Sequence, residues 1–280
     1  MKALRLIAAI ALASGLLSIA HANPVPAVPA FAWNTEGGFM DGTATCTNGA
    51  PANCSLTFSG AADPSHVILT PSGPYVTPDS HTAINWGTST GPGQSGLFAT
   101  HHSDLDMGAI VTNGGWVTID AFSHINNPIA ASGGALNAVD VYGQFNLTPP
   151  GLAVGHGINP VAFTETVNLA TPADCPPPNP AGTACDDYFD TPTLNGTSFL
   201  FSDGSFNYYL SFQFLDGPNA FVEPSPIAGD IRIYTAENAV STIFTQARID
   251  AVAIPEPGIL ALFGIALAAM GFVRGRRQRS

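Results

Sequence analysis

Between Ser205 and Phe214 the chain alternates: Phe206, Tyr208, Leu210, Phe212 and Phe214 are aromatic or apolar, and Ser205, Asn207, Tyr209, Ser211 and Gln213 stand between them. Val139, Val141, Phe145 and Leu147 alternate likewise with Asp140, Tyr142, Gln144 and Asn146. A period of two sorts each set onto one face of an extended strand, whereas a helix needs apolar residues three or four apart. Further strands are expected at 54–59, 66–70, 82–86, 109–112, 116–122, 161–168, 198–202, 231–234 and 242–249. Turn residues separate them, among them Asn113-Gly114-Gly115 and the hairpin Ser202-Asp203-Gly204. No amphipathic helical run of convincing length appears between residues 23 and 254. Strands this frequent predict an all-β, antiparallel β-sandwich or jelly-roll-like domain rather than a parallel α/β sheet.

The two ends read differently from this middle. Lys2 and Arg5 precede an apolar run over 6–19, and Ala20-His21-Ala22 offers a small-residue cleavage site, so residues 1–22 are expected to be a signal peptide removed by signal peptidase. At the other end, Ile254-Pro255-Glu256-Pro257-Gly258 leads into uncharged residues 259–273 and then Arg274, Arg276, Arg277 and Arg279. The two prolines stop the preceding fold, and a new helix over 258–273 is long enough to cross a locally thinned bilayer. The arginines hold its end in the cytoplasm. One extracytoplasmic domain over 23–254 remains, followed by a C-terminal segment over 255–280.

The order Pro255-Glu256-Pro257, apolar helix and arginine cluster resembles the PEP-CTERM sorting signal. That resemblance implies recognition by an exosortase, a membrane protease-transferase of Gram-negative bacteria that make extracellular polysaccharide. It also implies removal of the tail near Pro255 to Pro257, with release or transfer of the domain to the cell surface or matrix. The middle resembles the THxN group of such proteins through Trp86-Gly87-Thr88 with Gly93-Gln94-Ser95-Gly96-Leu97, Ser123-His124-Ile125-Asn126-Asn127-Pro128-Ile129, Phe163-Thr164-Glu165-Thr166-Val167-Asn168, and Cys175 to Cys185-Asp186-Asp187-Tyr188-Phe189. Ser123 stands where the group's name has threonine, and keeps the hydroxyl. The group brings no established biochemical activity with it.

Of the eight Lys and Arg, six lie in the two ends, leaving Arg232 and Arg248 in the mature domain against 19 of the 20 acids, a formal charge of −17. With so little to neutralise phosphates, nucleic acid is excluded as a partner. Such acidity suits solubility outside the cell and attracts divalent cations. The cysteines pair by proximity as Cys46 with Cys54 and Cys175 with Cys185, in a compartment where disulfides persist. Other connectivities stay open, and a zinc site competes weakly because neither pair has C-x-x-C spacing.

Local chemistry is sparse. Residues 91–96 match G-x-G-x-x-G, but without a following helix they read as a β-connection. His101, His102, Asp104 and Asp106 are the densest potential ligand set, and an alternating strand would put His102, Asp104 and Asp106 on one side as weak metal candidates. Asp186, Asp187 and Asp190 are minor candidates for calcium. His124 and Asn126 should share a strand face in a structural role. Glu165 has no identifiable carboxylate partner, so a glycosidase pair cannot be argued. Trp33, Trp86 and Trp116 could stack on sugars, although large aromatics in a sandwich are more often core. The expectation is a non-enzymatic structural or binding module, without cofactor, associated with extracellular polysaccharide. The alternative is a secreted hydrolase whose site is assembled from distant loops.

Overall fold

Strand-forming alternation is realised along nearly the whole middle of the chain. The structure is a computed structural model that describes residues 26–47, 51–99, 108–149, 151–166, 171–192 and 196–254, with residues 264, 265 and 267. The first strands are β1 (Ala30–Met40), β2 (Thr45–Cys46), β3 (Thr57–Asp63), β4 (Val67–Thr70), β5 (Gly73–Val76), β6 (Ser80–Trp86) and β7 (Ser95–Ala99). They are followed by β8 (Ala109–Val111), β9 (Val117–Asn126), β10 (Leu136–Thr148), β11 (Leu152–Thr164) and β12 (Asp187–Pro192). The last are β13 (Gly196–Ser202), β14 (Phe206–Asp216), β15 (Ala220–Pro224), β16 (Asp230–Thr235) and β17 (Ala239–Ala253).

Fifteen of these strands form one sheet, whose main path runs β13-β14-β17-β9-β7-β6-β1-β10-β11-β12-β16-β15. Strands β2, β3 and β8 join beside the path, and β4 with β5 makes a separate two-stranded sheet. The all-β antiparallel expectation is met. Instead of two separate sheets, one sheet turns at β1, which pairs with β10 from Ala32 to Phe39 and with β6 at Phe39 and Met40.

By contacts the chain divides into two units, and the main one comprises 30–201 and 208–251. Within it the two halves of the sheet face each other. Phe122 of β9 packs on Phe39 and on Phe189 of β12, with ring centroids 5.4 and 6.1 Å apart. Ile84, Trp86, Leu97, Leu136 and Val139 fill the same core, each fully buried large side chain contributing about 1.5–3 kcal/mol. Across β1, β10 and β11, Gly37 pairs with Gly143 and Gly143 with Gly157, a row without side chains. Gly37 has φ +144°, and a Cβ there would run into the carbonyl oxygen of Tyr142, so glycine is required.

Of the described residues, the smaller unit contains 26–29, the turn 202–207, and 252–254 with 264, 265 and 267. Asp203 Oδ1 accepts from the backbone N–H groups of Ser205 and Phe206, at 2.8 and 2.7 Å, closing the hairpin turn expected there. The N–H of Ile254 donates to the carbonyl of Ser205 at 2.8 Å. Among the described residues no helix is long and apolar enough to cross a membrane. The expected signal peptide, and nearly all of the expected 258–273 span, lie outside the described residues.

Candidate functional site

Antiparallel pairing brings several strand ends to one end of the core. Trp86 ends β6, Asn126 ends β9, Glu165 directly follows β11, Asp187 opens β12, and Thr235 ends β16 two residues before Glu237. The register sets His124 opposite Leu97 and Ser241, Asn126 opposite Ala239, and Asp187 opposite Thr235. His124 and Asn126 share the inward face, at 1% and 0% exposure, as their spacing of two requires. Ser123 points the other way, its Oγ 3.1 Å from Thr242 Oγ1.

His124 stacks on Trp86 with centroids 5.5 Å apart and meets the edge of Phe163 at 5.3 Å. Its Nδ1 is 2.8 Å from Thr235 Oγ1, which donates to the carbonyl of Asp187 at 3.3 Å. A hydroxyl that donates to that carbonyl makes Nδ1 the donor and Nε2 the lone-pair nitrogen, an assignment made from the hydrogen-bond pattern. Burial lowers the His124 pKa to about 3, so the ring is neutral. Its Nε2, both amide atoms of Asn126, and Asp187 Oδ2 are buried without hydrogen-bond partners.

Three carboxyl groups meet at this end. Burial, and then the charge of Glu237, pushes Glu165 up to about 7, with the Trp86 indole pulling the other way. Burial and then Glu165 hold Asp187 well above the usual carboxylate range, against the opposing pull of the Thr166 backbone N–H, which donates to Asp187 Oδ1 at 2.7 Å. Crowded acids in a water-poor site keep protons, because each ionisation opposes the next. Glu165 therefore does have carboxylate partners, contrary to the sequence reading. They come from β12 and from the turn between β16 and β17, and no local motif reports them.

The loop closed by Cys175–Cys185 connects to this end. Thr183 Oγ1 accepts the N–H of Glu237 at 2.9 Å and donates to Asp186 Oδ1 at 2.6 Å. Asp186 Oδ2 accepts the N–H of Ala181 at 2.6 Å. Both proximity pairings, Cys46–Cys54 and Cys175–Cys185, are present as disulfides. The calcium candidates do not converge: Asp187 faces inward, Asp186 serves the loop, and Asp190 forms a two-pronged pair with Arg232 at 2.9 and 2.7 Å. Period two separates Asp187 from Asp190.

A cavity of about 340 Å³ lies between the layers over the Gly37, Gly143 and Gly157 row, lined also by Phe122, Phe145, Phe212 and Phe214. Asp120 lines it, and burial pushes its carboxyl up to about 7 against the opposing pull of the Ala121 N–H. Among the described residues, one group, Glu36, Asp63 and His66, brings three metal-competent atoms within 4.8 Å of one another.

Residues 91–96 form a turn into β7, where Ser89 Oγ accepts from Gly91 and Gly93 N–H at 3.1 and 2.9 Å, a β-connection as expected. Trp33 and Trp86 are core, at 5% and 0% exposure, and the guanidinium of Arg248 lies 5.0 Å over the Trp116 ring. The weak metal candidates His102, Asp104 and Asp106, with His101, lie outside the described residues, as do Ala20, Ala22, Pro255, Glu256, Pro257, Arg274, Arg276, Arg277 and Arg279.

Residues 253–277 match the PEP-CTERM protein-sorting motif. The motif implies a chain that is exported and targeted to an exosortase for sorting toward the cell surface, and the two disulfides are consistent with that compartment. No curated protein matches the chain.

Proposed function

We propose that this chain is an exosortase-sorted surface or extracellular-matrix protein of the THxN group, whose β domain acts without catalysis as a structural or binding module in the extracellular polysaccharide. The observation that carries the reading is a junction. The sorting motif begins at Ala253, the last residue of β17, and the hydrogen bond from Ile254 to Ser205 comes directly before Pro255. The fold is complete where the sorting signal starts, so processing at residues 255–257 would leave every described strand intact. Before processing, residues 258–273 would anchor the precursor in the inner membrane with the arginines inside.

Membership of the THxN group is supported by where its patches meet. Trp86, His124, Asn126, Phe163, Glu165 and Asp187 come from four stretches of chain and meet at one buried end. The cavity beside Asp120 has the size and apolar lining of a small-ligand site, which supports binding as well as scaffolding.

The alternative of a secreted hydrolase has one observation in its favour, the convergence of Glu165, Asp187 and Glu237. Asp187 at 0% and Glu237 at 4% exposure are out of reach of a sugar ring, so the non-catalytic reading is preferred. Mass spectrometry of the mature protein from its native host, with and without the exosortase, tests the sorting. A tail lost only when the enzyme is present supports it, and identical C termini in both strains refute it. Co-sedimentation with purified matrix polysaccharide, alongside an assay for newly released reducing ends, separates binding from hydrolysis.

A further inference from the structure

We propose that Glu36, Asp63 and His66 hold one divalent transition-metal ion of the zinc class, through His66 Nε2 and one carboxylate oxygen from each acid. Glu36 comes from β1, Asp63 ends β3, and His66 directly precedes β4. One ligand atom from each lies within 4.8 Å of the others; His66 Nε2 is 3.4 Å from Glu36 Oε2, and on the other side of the ring Nδ1 is 3.7 Å from Asp63 Oδ1. Ligand atoms about 2.1 Å from a tetrahedral ion stand about 3.4 Å apart, so the pair of His66 Nε2 and Glu36 Oε2 is already at the spacing an ion imposes.

The imidazole is oriented for coordination. His66 Nδ1 is 3.2 Å from the carbonyl oxygen of Pro64, which can only accept. The Thr77 hydroxyl, 3.1 Å from the same nitrogen, donates to the carbonyl of His66. Nδ1 therefore carries the proton, and Nε2 presents its lone pair toward Glu36, the arrangement by which carbonyl partners fix metal-binding histidines. Asp63 Oδ2 is buried with no hydrogen-bond partner, a position a cation satisfies. A register shift between Ser59 and Ala62 in the pairing of β3 with β6 comes directly before Asp63, as bulges often do beside sites.

One nitrogen and two carboxylates suit zinc better than calcium, which takes six to eight oxygens. The ion would fasten the separate β4–β5 hairpin to the main sheet. That hairpin otherwise lies over the sheet through Tyr75, whose ring centroid is 4.3 Å from that of His156 and 6.5 Å from that of Tyr142. The competing occupant of the space is a proton shared between the ring and the carboxylates, Nε2 facing Glu36 at 3.4 Å and Nδ1 facing Asp63 at 3.7 Å.

Calorimetric titration of Zn²⁺ into metal-stripped, untagged full-length protein in detergent, with Co²⁺ absorption as an independent readout, decides between ion and proton. Expected are one Zn²⁺ site that disappears in His66→Ala and weakens about tenfold or more in Glu36→Gln, a tetrahedral Co²⁺ spectrum, and a Tm that rises with Zn²⁺. Glu223→Gln, an exposed carboxylate elsewhere, should bind as the parent does. Circular dichroism verifies folding, and if His66→Ala does not fold, Asp63→Asn takes its place. No Zn²⁺ binding by the parent, undiminished binding by the variants, or preference for Ca²⁺ over Zn²⁺ overturns the proposal.

Discussion

His124 Nδ1 lies 2.8 Å from Thr235 Oγ1, and this bond ties β9 to β16 across the buried end of the core. Both groups are hidden from water, at 1% exposure each, so neither can exchange its partner for solvent. Thr235→Val keeps the shape and removes the hydroxyl, leaving the buried ring nitrogen of His124 without its partner. The expected loss is about 1–3 kcal/mol, read as a lower urea midpoint at unchanged slope, with Thr235→Ser close to the parent.

The titrating groups of the interior give stability a direction with pH. Asp120 and Glu165 are raised to about 7 and Asp187 is raised well above its usual range. Each keeps its proton in the folded state where the unfolded chain has released it, so stability falls as pH climbs from about 4 toward 7. His124, lowered to about 3, acts oppositely: the unfolded chain is protonated below about 6.5 and the folded one is not, so its contribution is lost as pH falls. Between about pH 4 and 6.5 three acids oppose one histidine, and these four groups together give falling stability with rising pH. Asp120→Asn should reduce that dependence by up to about 1.4 kcal/mol per pH unit. Urea midpoints across this range measure it, and an unchanged dependence would mean that Asp120 is ionised in the fold.

Asp190 and Arg232 form the other strong pair, with the guanidinium 4.0 Å over the Tyr188 ring. The side chains of Arg232 and Asp190 are 17% and 9% exposed, so removing one partner strands the other's charge. Asp190→Ala should cost about 3 kcal/mol. Replacing both partners with Leu should cost less than that single change, a difference that a double-mutant cycle in chemical denaturation detects.

Sequence made the sheet legible wherever polar and apolar residues alternate, as in β10 and β14, and it placed His124 and Asn126 on one face. It missed β1, where Glu36-Gly37-Gly38 breaks the pattern, the short β2, β5 and β7, and β12 and β15, which are short and carry acids and a terminal proline. Cys54, expected at a strand start, ends a 3-10 turn instead. The acid cluster was invisible because Glu165, Asp187 and Glu237 are joined only by the pairing of β11 with β12 and of β12 with β16. Side-chain period carries no information about which strands become neighbours. The same holds for Glu36, Asp63 and His66.

The Cys175–Cys185 loop connects stability to the protonation of that cluster. Its Thr183 holds the backbone of Glu237, and its closing bond spans a separation of 10 residues. Replacing both cysteines with serine frees the loop in the unfolded chain, with an expected cost of about 2–3 kcal/mol. A second effect follows from the contacts. Once Thr183 no longer fixes Glu237, water reaches the carboxyl groups, and the burial that raises Glu165 and Asp187 is relieved. The double-serine protein should therefore be less stable throughout, yet lose less additional stability between about pH 4 and 7 than the parent. Chemical denaturation of both proteins at several pH values measures the two effects separately, and parallel stability curves would show that the loop does not keep water from the acids.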